Sequence, residues 1–181
     1  MSSLRWNESA ENMFPVYLLI AASIFVLDQI TKRAVLLWFS PDAVMPVIPG
    51  LFSLVRVENR GIAFGLFAGL SSNIAFGLIV LISAAALAVV CYLLWKSDPS
   101  ATRARIALAF ILGGAAGNLM DRVVRGSVVD FLDFYVRDYH WYTFNLADSA
   151  IVIGAGLLLL DVFGGRGKTD LCHRDTETQR S

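Results

Sequence analysis

Four long apolar segments constrain this chain more than any other feature of its sequence. They cover residues 14–37, 74–95, 106–120 and 144–163. A helix needs about 20 apolar residues to cross the hydrocarbon core of a bilayer. Within lipid, only helices and closed barrels satisfy all of their own backbone hydrogen bonds. The sequence therefore predicts an all-α membrane protein with four transmembrane helices, of which the short, glycine-rich third has the least distinct ends.

Composition supports this class and excludes several functions. Hydrophobic residues make up 56% of the 181 residues and charged residues 17%, against about 45–50% and about 25% in soluble domains. The net charge is zero, whereas a nucleic-acid-binding protein needs a basic excess. Cys91, Cys172, His140 and His173 form no metal-ligand or disulfide pattern. We therefore expect no metal, no cofactor and no nucleic-acid partner.

The chain divides into an N-terminal segment (1–13), a membrane domain (14–163) and a polar tail (164–181). The first apolar segment is too long for a cleavable signal peptide and carries Asp28 and Lys32. An even number of spans places both termini on one side of the membrane. Basic residues divide almost equally between the two sides, and only one short basic loop and the tail favour cytoplasmic termini. We expect the tail to lack fixed structure.

The two loops on the other side, 40–73 and 122–143, carry β-type sequences. Residues 51–57 and 127–136 are rich in β-branched and aromatic residues and predict two strands. Such strands can pair into a small sheet at the membrane surface, since open sheet edges are not tolerated within hydrocarbon. The apolar stretch 62–70 is too short to span, and we expect it to lie at the interface or to re-enter. Aromatic residues typical of a membrane-surface belt follow the second strand: Tyr135, Tyr139, Trp141 and Tyr142.

Ionisable residues inside spans are costly and are candidates for function. Asp28 and Lys32 lie one helical turn apart and can pair, and a structural ion pair near the span end explains them best.

The sequence Asn59-Arg60-Gly61 predicts a turn. Three glycines of the third span predict close helix packing: Gly113, Gly114 and Gly117.

Asparagine and aspartate recur with one spacing near the span ends. The motif N-x-x-D occurs at Asn118/Asp121 and again at Asn145/Asp148, and Asp130 lies in the second strand-like segment. Two carboxylates that approach closely cannot both ionise easily. Such a pair can hold a water, remove its proton and protonate a leaving amine. Taken singly, each aspartate is better explained as a helix cap or as a partner of a nearby arginine.

Five motifs follow one another along the chain: DQITK at 28–32, NRGIAF at 59–64, GGAAGNLMDR at 113–122, VVDF at 128–131 and FNLADS at 144–149. In this order on a four-span chain, they resemble the bacterial lipoprotein signal peptidase family (signal peptidase II) over residues 27–161. One position departs from the family pattern, because Ile62 stands where the family usually has alanine. We expect this added bulk to change how a substrate or inhibitor fits, without touching a carboxylate.

The resemblance implies a membrane aspartyl endopeptidase that removes the signal peptide from diacylglyceryl-modified prolipoproteins, cutting on the amino side of the lipidated cysteine. It implies four transmembrane helices with a small periplasmic β-sheet and a short interfacial helix. The expected location is the bacterial inner membrane, with both termini cytoplasmic and the active site facing the periplasm. The expected enzyme is a monomer whose partners are the lipidated substrate, membrane lipid and globomycin-type inhibitors.

By motif position, the resemblance implies that Asp130 and Asp148 form the catalytic pair. Spacing alone favours the two N-x-x-D motifs, and only the resemblance moves the prediction from Asp121 to Asp130. Asp121 then becomes a supporting residue that pairs with a basic group or caps backbone. The residues expected to line the site, bind substrate or support the dyad are Asp28, Lys32, Asn59, Gly61, Asn118, Asp121, Arg122 and Asn145.

Two other classes of protein remain open from the residues alone. A small ion-coupled carrier also buries Asp and Asn, but it predicts an inverted internal repeat, of which the two N-x-x-D motifs are the only hint. An assembly or chaperone module needs only the aromatic belt and the glycines, and it leaves the cluster of Asp and Asn unexplained. Inhibition of prolipoprotein processing by a globomycin-type compound distinguishes a peptidase from both.

Overall fold

A computed structural model describes residues 13–41, 43–61, 72–137 and 139–177, and the side chains of residues 72 and 164–177 lie outside that description. Four helices and four strands follow in chain order: α1 (Phe14–Trp38), β1 (Val44–Ile48), β2 (Phe52–Asn59), α2 (Ser72–Lys96), α3 (Thr102–Arg125), β3 (Val128–Val136), β4 (Tyr139–His140) and α4 (Leu146–Glu177).

Four helices of the described chain are long and apolar enough to cross a membrane, which confirms the predicted number of spans. They are Phe14–Trp38, Asn73–Lys96, Thr102–Arg125 and Leu146–Phe163. α1 carries proline in its first turn, where a missing N–H leaves no bond unmade. Beyond the last span, α4 continues to Glu177, so the expectation of a tail without fixed structure is wrong. Extending a formed helix costs little, since each added residue closes a further hydrogen bond.

The third span is longer than the predicted 106–120, because the structure gives its charged ends partners. Arg105 lies against the rings of Phe14 and Tyr17, with its guanidinium carbon 5.9 and 5.3 Å from their centroids. Its Nε also donates to the Ser97 hydroxyl at 3.1 Å. At the other end the helix stops at Gly126, whose φ of 78° is left-handed and whose N–H bonds back into the last turn.

α3 is the central helix, since it packs against each of the other three. Its glycines make this possible, which confirms the prediction of close packing. A Cβ on Gly113 or Gly114 would collide with a backbone carbonyl of α1 or α4 respectively. α4 also approaches α3 closely at Gly154, where an added Cβ would lie 2.6 Å from the Ala107 carbonyl oxygen.

The strands form one antiparallel sheet in the order β1-β2-β3-β4. The predicted pairing of the two outer loops is confirmed, because β2 pairs with β3, placing Val57 opposite Asp130. β1 and β4 were not among the strands that the sequence predicted. β1 contains Pro46 and lies at the sheet edge, where a strand can do without one N–H.

The sheet is fixed to the helices beside Asp130. Val35 of α1 packs in one buried cluster with Val129 and Phe131 of β3. The Phe144 carbonyl accepts the backbone N–H groups of Phe131 and Leu132 at 3.0 and 2.8 Å. Because Phe144 lies just before α4, these bonds hold the start of α4 next to Asp130. The predicted interfacial segment 62–70, including Ile62, lies outside the described residues.

Gly154→Ala and Gly156→Ala form a matched pair of tests for this packing. We expect Gly154→Ala to lower the thermal unfolding midpoint in detergent by several degrees, because backbone carbonyl atoms cannot yield as a flexible side chain can. Gly156 has nothing within 4 Å of an added Cβ, so alanine there should leave the midpoint unchanged or raise it slightly. Equal effects of the two substitutions would contradict the packing described.

Candidate active site

Asp148 is fixed in the first turn of α4 by a reciprocal cap. The Asn145 side-chain oxygen accepts the Asp148 N–H at 3.0 Å, and Asp148 Oδ2 accepts the Asn145 N–H at 3.3 Å. This arrangement is a capping box, and it explains the three-residue spacing of the motif. The positive end of the helix dipole favours a negative charge at this position. Asp148 is half-buried, whereas Asn145 is fully buried.

Asp130 lies on β3 with 3% of its surface exposed. Its Oδ1 accepts from Asn145 Nδ2 at 2.7 Å, and its Oδ2 accepts from Asn59 Nδ2 at 3.1 Å. Burial raises the pKa of the Asp130 carboxyl to about 6. The hydrogen bond from Asn59 acts against this rise in pKa, and the charge of Asp148 adds to it. Asn145 therefore contacts both aspartates predicted as the catalytic pair.

A second amide, that of Asn118 on α3, completes the link between the two carboxylates. Its Nδ2 donates to Asp148 Oδ1 at 2.7 Å. Its oxygen accepts from Asn145 Nδ2 at 3.3 Å and from Lys32 Nζ at 3.0 Å. An ammonium group can only donate, so Lys32 fixes the Asn118 oxygen towards itself. The amide NH₂ must then face Asp148.

Lys32 is the cation of a fully buried ion cluster behind these amides. Its Nζ lies 2.9 Å from Asp28 Oδ2 and 2.7 Å from Asp121 Oδ2, and the three side chains are 0% exposed. The predicted pairing of Asp28 with Lys32 is confirmed. Asp28 also accepts the Ala147 N–H at 3.0 Å, which caps α4 from a second helix. Gly117 leaves the space that the Asp28 carboxylate occupies.

Asp121 takes part in this cluster and makes no direct hydrogen bond to Asp130 or Asp148 among the described residues. It pairs with Arg125 as well as with Lys32, and it accepts from Gln29 Nε2 at 3.2 Å. The prediction that Asp121 pairs with a basic group is confirmed. Sequence reasoning assigned no role to Gln29, although an amide beside Asp28 in an apolar span was the available signal.

Arg122 and Gly61 lie over the same site. Arg122 Nη1 donates to the Asn118 carbonyl at 3.1 Å, and its charge interacts with those of Asp148 and Asp130. Its Nε is buried without a hydrogen-bond partner in the described part of the chain. Gly61 has a φ of 74° and donates its N–H to Asn59 Oδ1 at 2.8 Å, which confirms the predicted turn. A Cβ added to Gly61 would lie 3.4 Å from the Ile79 side chain and 4.0 Å from Arg122 Nη2.

An apolar groove of about 410 Å³ begins at Asp148 and follows α4. Its lining includes the exposed aromatic residues Trp141 and Tyr142 and, from α4, Val152 and Ile153. The groove thus joins a partly exposed carboxylate to the lipid-facing surface of α4.

Solved structures share this architecture. A bacterial membrane enzyme determined by the in meso method at 2.3 Å resolution matches with a TM-score of 0.74 and 27% identity, over 85% of this chain and 91% of that chain. A second bacterial membrane enzyme, at 1.9 Å resolution, matches with a TM-score of 0.70 and 30% identity, over 82% of this chain and 92% of that chain. Fold and site together define a membrane-bound enzyme.

Sequence comparison identifies the family. A family model described as signal peptidase (SPase) II matches residues 20–164. A lipoprotein signal peptidase from Solibacter usitatus is 43% identical over 162 residues, 90% of this chain and 93% of its own length. Another from Syntrophotalea carbinolica is 41% identical over 147 residues, 81% and 90% of the two chains. The chain belongs to the signal peptidase II family, so it is a multi-pass membrane peptidase of the kind that removes signal peptides from prolipoproteins.

The raised pKa of Asp130 predicts a pH-dependent effect of Asp130→Asn on stability. Between about pH 4 and about pH 6 the folded state keeps a proton that the unfolded chain has lost, so the free energy of unfolding falls as pH rises through this window. Asparagine resembles the neutral acid. Asn145 and Asn59 both donate to this side chain, so asparagine loses one of these hydrogen bonds at every pH. We therefore expect the stability of Asp130→Asn relative to the wild type to rise by up to about 3 kcal/mol between pH 4 and pH 8.

Asp98→Asn provides a control of opposite sign, measured by thermal unfolding in detergent at both pH values. Hydrogen bonds from the Ser100 hydroxyl and N–H lower the pKa of Asp98, so its stabilisation is present at neutral pH and lost as pH falls. Asp98→Asn should lower the midpoint at pH 8 and have no effect at acid pH. A pH-independent effect of Asp130→Asn would contradict the raised pKa.

Proposed function

We propose that this chain is an aspartyl endopeptidase that cleaves the signal peptide from diacylglyceryl-modified prolipoproteins on the amino side of the lipidated cysteine. Asp130 and Asp148 are the catalytic pair. The observation that carries this proposal is the shared amide frame, because Asn145 binds both carboxyl groups. Each aspartate also has an asparagine of its own, Asn59 for Asp130 and Asn118 for Asp148.

The two carboxyl groups have different surroundings, and these favour different roles. Asp148 lies at the positive end of α4 and at the mouth of the groove, where an ionised carboxylate suits a general base. Asp130 is buried on β3, with its pKa raised to about 6. A bound peptide displaces further water, and this desolvation favours the protonated form of Asp130. The pair then shares one proton.

The reaction follows from these roles. Asp148 removes a proton from a water molecule as the water oxygen attacks the scissile carbonyl, and Asp130 gives its proton to the carbonyl oxygen. When the carbon–nitrogen bond breaks, Asp148 passes its new proton to the departing amine. Asp130 recovers a proton from the collapsing diol, so both groups return to their starting state. The chemistry needs water and two carboxyl groups, and no metal or organic cofactor.

Two features of the site suit a lipidated substrate. The buried Nε of Arg122 has no hydrogen-bond partner in the described chain, and a peptide carbonyl of the substrate would satisfy it. The apolar groove beside Asp148 offers a path from the lipid-facing surface to the dyad. Anchoring the substrate in the bilayer gives it a high effective concentration at the carboxyl groups.

The proposed location is the bacterial inner membrane, with both termini cytoplasmic and the sheet at the periplasmic surface. The exposed aromatic residues next to the sheet support a position at the membrane interface. They include Tyr139, Trp141 and Tyr142, with exposures of 70%, 64% and 64%. A monomeric state and sensitivity to globomycin-type inhibitors remain predictions of the family resemblance.

The carrier alternative loses its main support. It requires the two N-x-x-D motifs to be structural repeats, but Asn118 lies inside α3 whereas Asn145 caps α4. An assembly module would give no reason for two carboxyl groups bound by three asparagines.

We expect Asp130→Asn and Asp148→Asn each to reduce cleavage of a purified, diacylglyceryl-modified prolipoprotein by at least about 10³-fold, because each removes one proton-transfer group. Asp133→Asn is the matched control. Asp133 is a buried carboxylate of the same strand, but it lies 2.9 Å from His140 rather than in the amide frame. The Asp133→Asn enzyme should cleave the substrate at a rate within a few-fold of the wild-type rate.

Unfolding midpoints of the same preparations establish that each variant is folded. Full activity of either dyad variant would refute the assignment. Loss of activity in Asp121→Asn together with full activity in Asp130→Asn would restore the pair that spacing alone favoured.

A further inference from the structure

A second apolar groove lies between α1 and the end of α3. Its volume is about 590 Å³, and its walls include Phe25, Ile30 and Trp38. Arg33 and Arg125 lie in the same lining. None of its lining residues also lines the groove that begins at Asp148. The mechanism proposed above makes no use of this surface.

The two arginines have hydrogen-bonding capacity to spare. Arg33 is exposed and makes no ion pair or hydrogen bond to any described residue. Arg125 uses only Nη1 within the described chain, for Asp121 and for the Gln29 amide oxygen at 3.2 Å. Its Nη2 and Nε therefore remain available. Guanidinium groups bind phosphate oxygens with paired N–H donors.

Along α1, the charged and apolar residues of the groove follow each other as the head group and acyl chains of a phospholipid do. Trp38 ends α1 and is 81% exposed, as expected of tryptophan at a membrane interface. Arg33 precedes it by five residues, about 7.5 Å by helical rise, and Arg125 is the last residue of α3. Phe25 lies eight residues, about 12 Å, further towards the bilayer centre than Arg33. On α1, Arg33 thus lies nearer the membrane surface than the apolar residues Phe25 and Ile30, and Trp38 closes the outer end of the groove.

We propose that this groove binds one anionic phospholipid, with its phosphate held by Arg33 and Arg125 and an acyl chain along α1. Charge complementarity selects the occupant, because two guanidinium groups attract a head group with a net negative charge more strongly than a zwitterionic one, whose own cation offsets its phosphate. A diacylglyceryl group carries no phosphate, so the substrate lipid offers no partner for Arg33 and Arg125. The bound phosphate would share Arg125 with Asp121, which pairs with Lys32.

The test compares phosphatidylglycerol with phosphatidylcholine of identical acyl chains, added to the purified full-length chain in neutral detergent. Native mass spectrometry measures the affinity of each lipid. We expect the wild type to bind phosphatidylglycerol about fivefold or more tightly than phosphatidylcholine. Arg33→Gln should reduce this preference to less than about twofold. Arg103→Gln removes the same charge from the exposed opposite end of α3 and should retain the full preference.

A second variant tests the apolar wall without changing charge. Ala34 lines the groove, and Ala34→Phe should fill it and weaken phosphatidylglycerol binding at least about fivefold. Equal binding of both lipids by the wild type would overturn the proposal, since a guanidinium that only reaches water does not discriminate between them. Equal losses of phosphatidylglycerol binding in Arg33→Gln and Arg103→Gln would also overturn it.

Discussion

The contacts of the buried Lys32 ammonium group hold the helices together at the sheet end of the bundle. A cation inside a membrane span carries a large desolvation cost, and here Asp28, Asp121 and the Asn118 oxygen offset it. Two of these partners lie on α3, so the ion cluster joins α1 to the central helix. Asp28 in addition caps the start of α4. One buried cation therefore determines how three helices meet at the sheet end of the bundle.

The same group orders the proposed catalytic pair through a short chain of contacts. Lys32 orients the Asn118 amide, which donates to Asp148. Asn145 Nδ2 donates both to the Asn118 oxygen and to Asp130. Each side-chain atom in this series of contacts has a fixed donor or acceptor role. The buried side chains of Lys32, Asn118 and Asn145 cannot rotate without losing a hydrogen bond. The rigid frame explains how carboxyl groups from a strand and from a helix can act together.

Much of the fold could be predicted from local sequence. Hydropathy gave four spans, residue type gave β2 and β3, and the four-residue spacing gave the Asp28–Lys32 pair. The ends of α3 could not be predicted, because Arg105 is accommodated by aromatic rings on another helix. Spacing was misleading for the two N-x-x-D motifs, since one is a helix cap and the other faces a buried lysine. Contacts across the fold, such as that of Asn118 with Asp148, leave no local signal.

We propose that Asp130 and Asp148 form a coupled pair with one shared proton. Infrared difference spectroscopy of the detergent-solubilised protein detects the carbonyl stretch of a protonated carboxyl group directly. We expect a band that disappears with a midpoint near pH 6 in the wild type and is absent in Asp130→Asn. In Asp148→Asn, where the neighbouring charge is removed, this midpoint should move downward. A band with a midpoint near pH 6 that persists in Asp130→Asn, or a midpoint that does not move in Asp148→Asn, would refute the coupled pair.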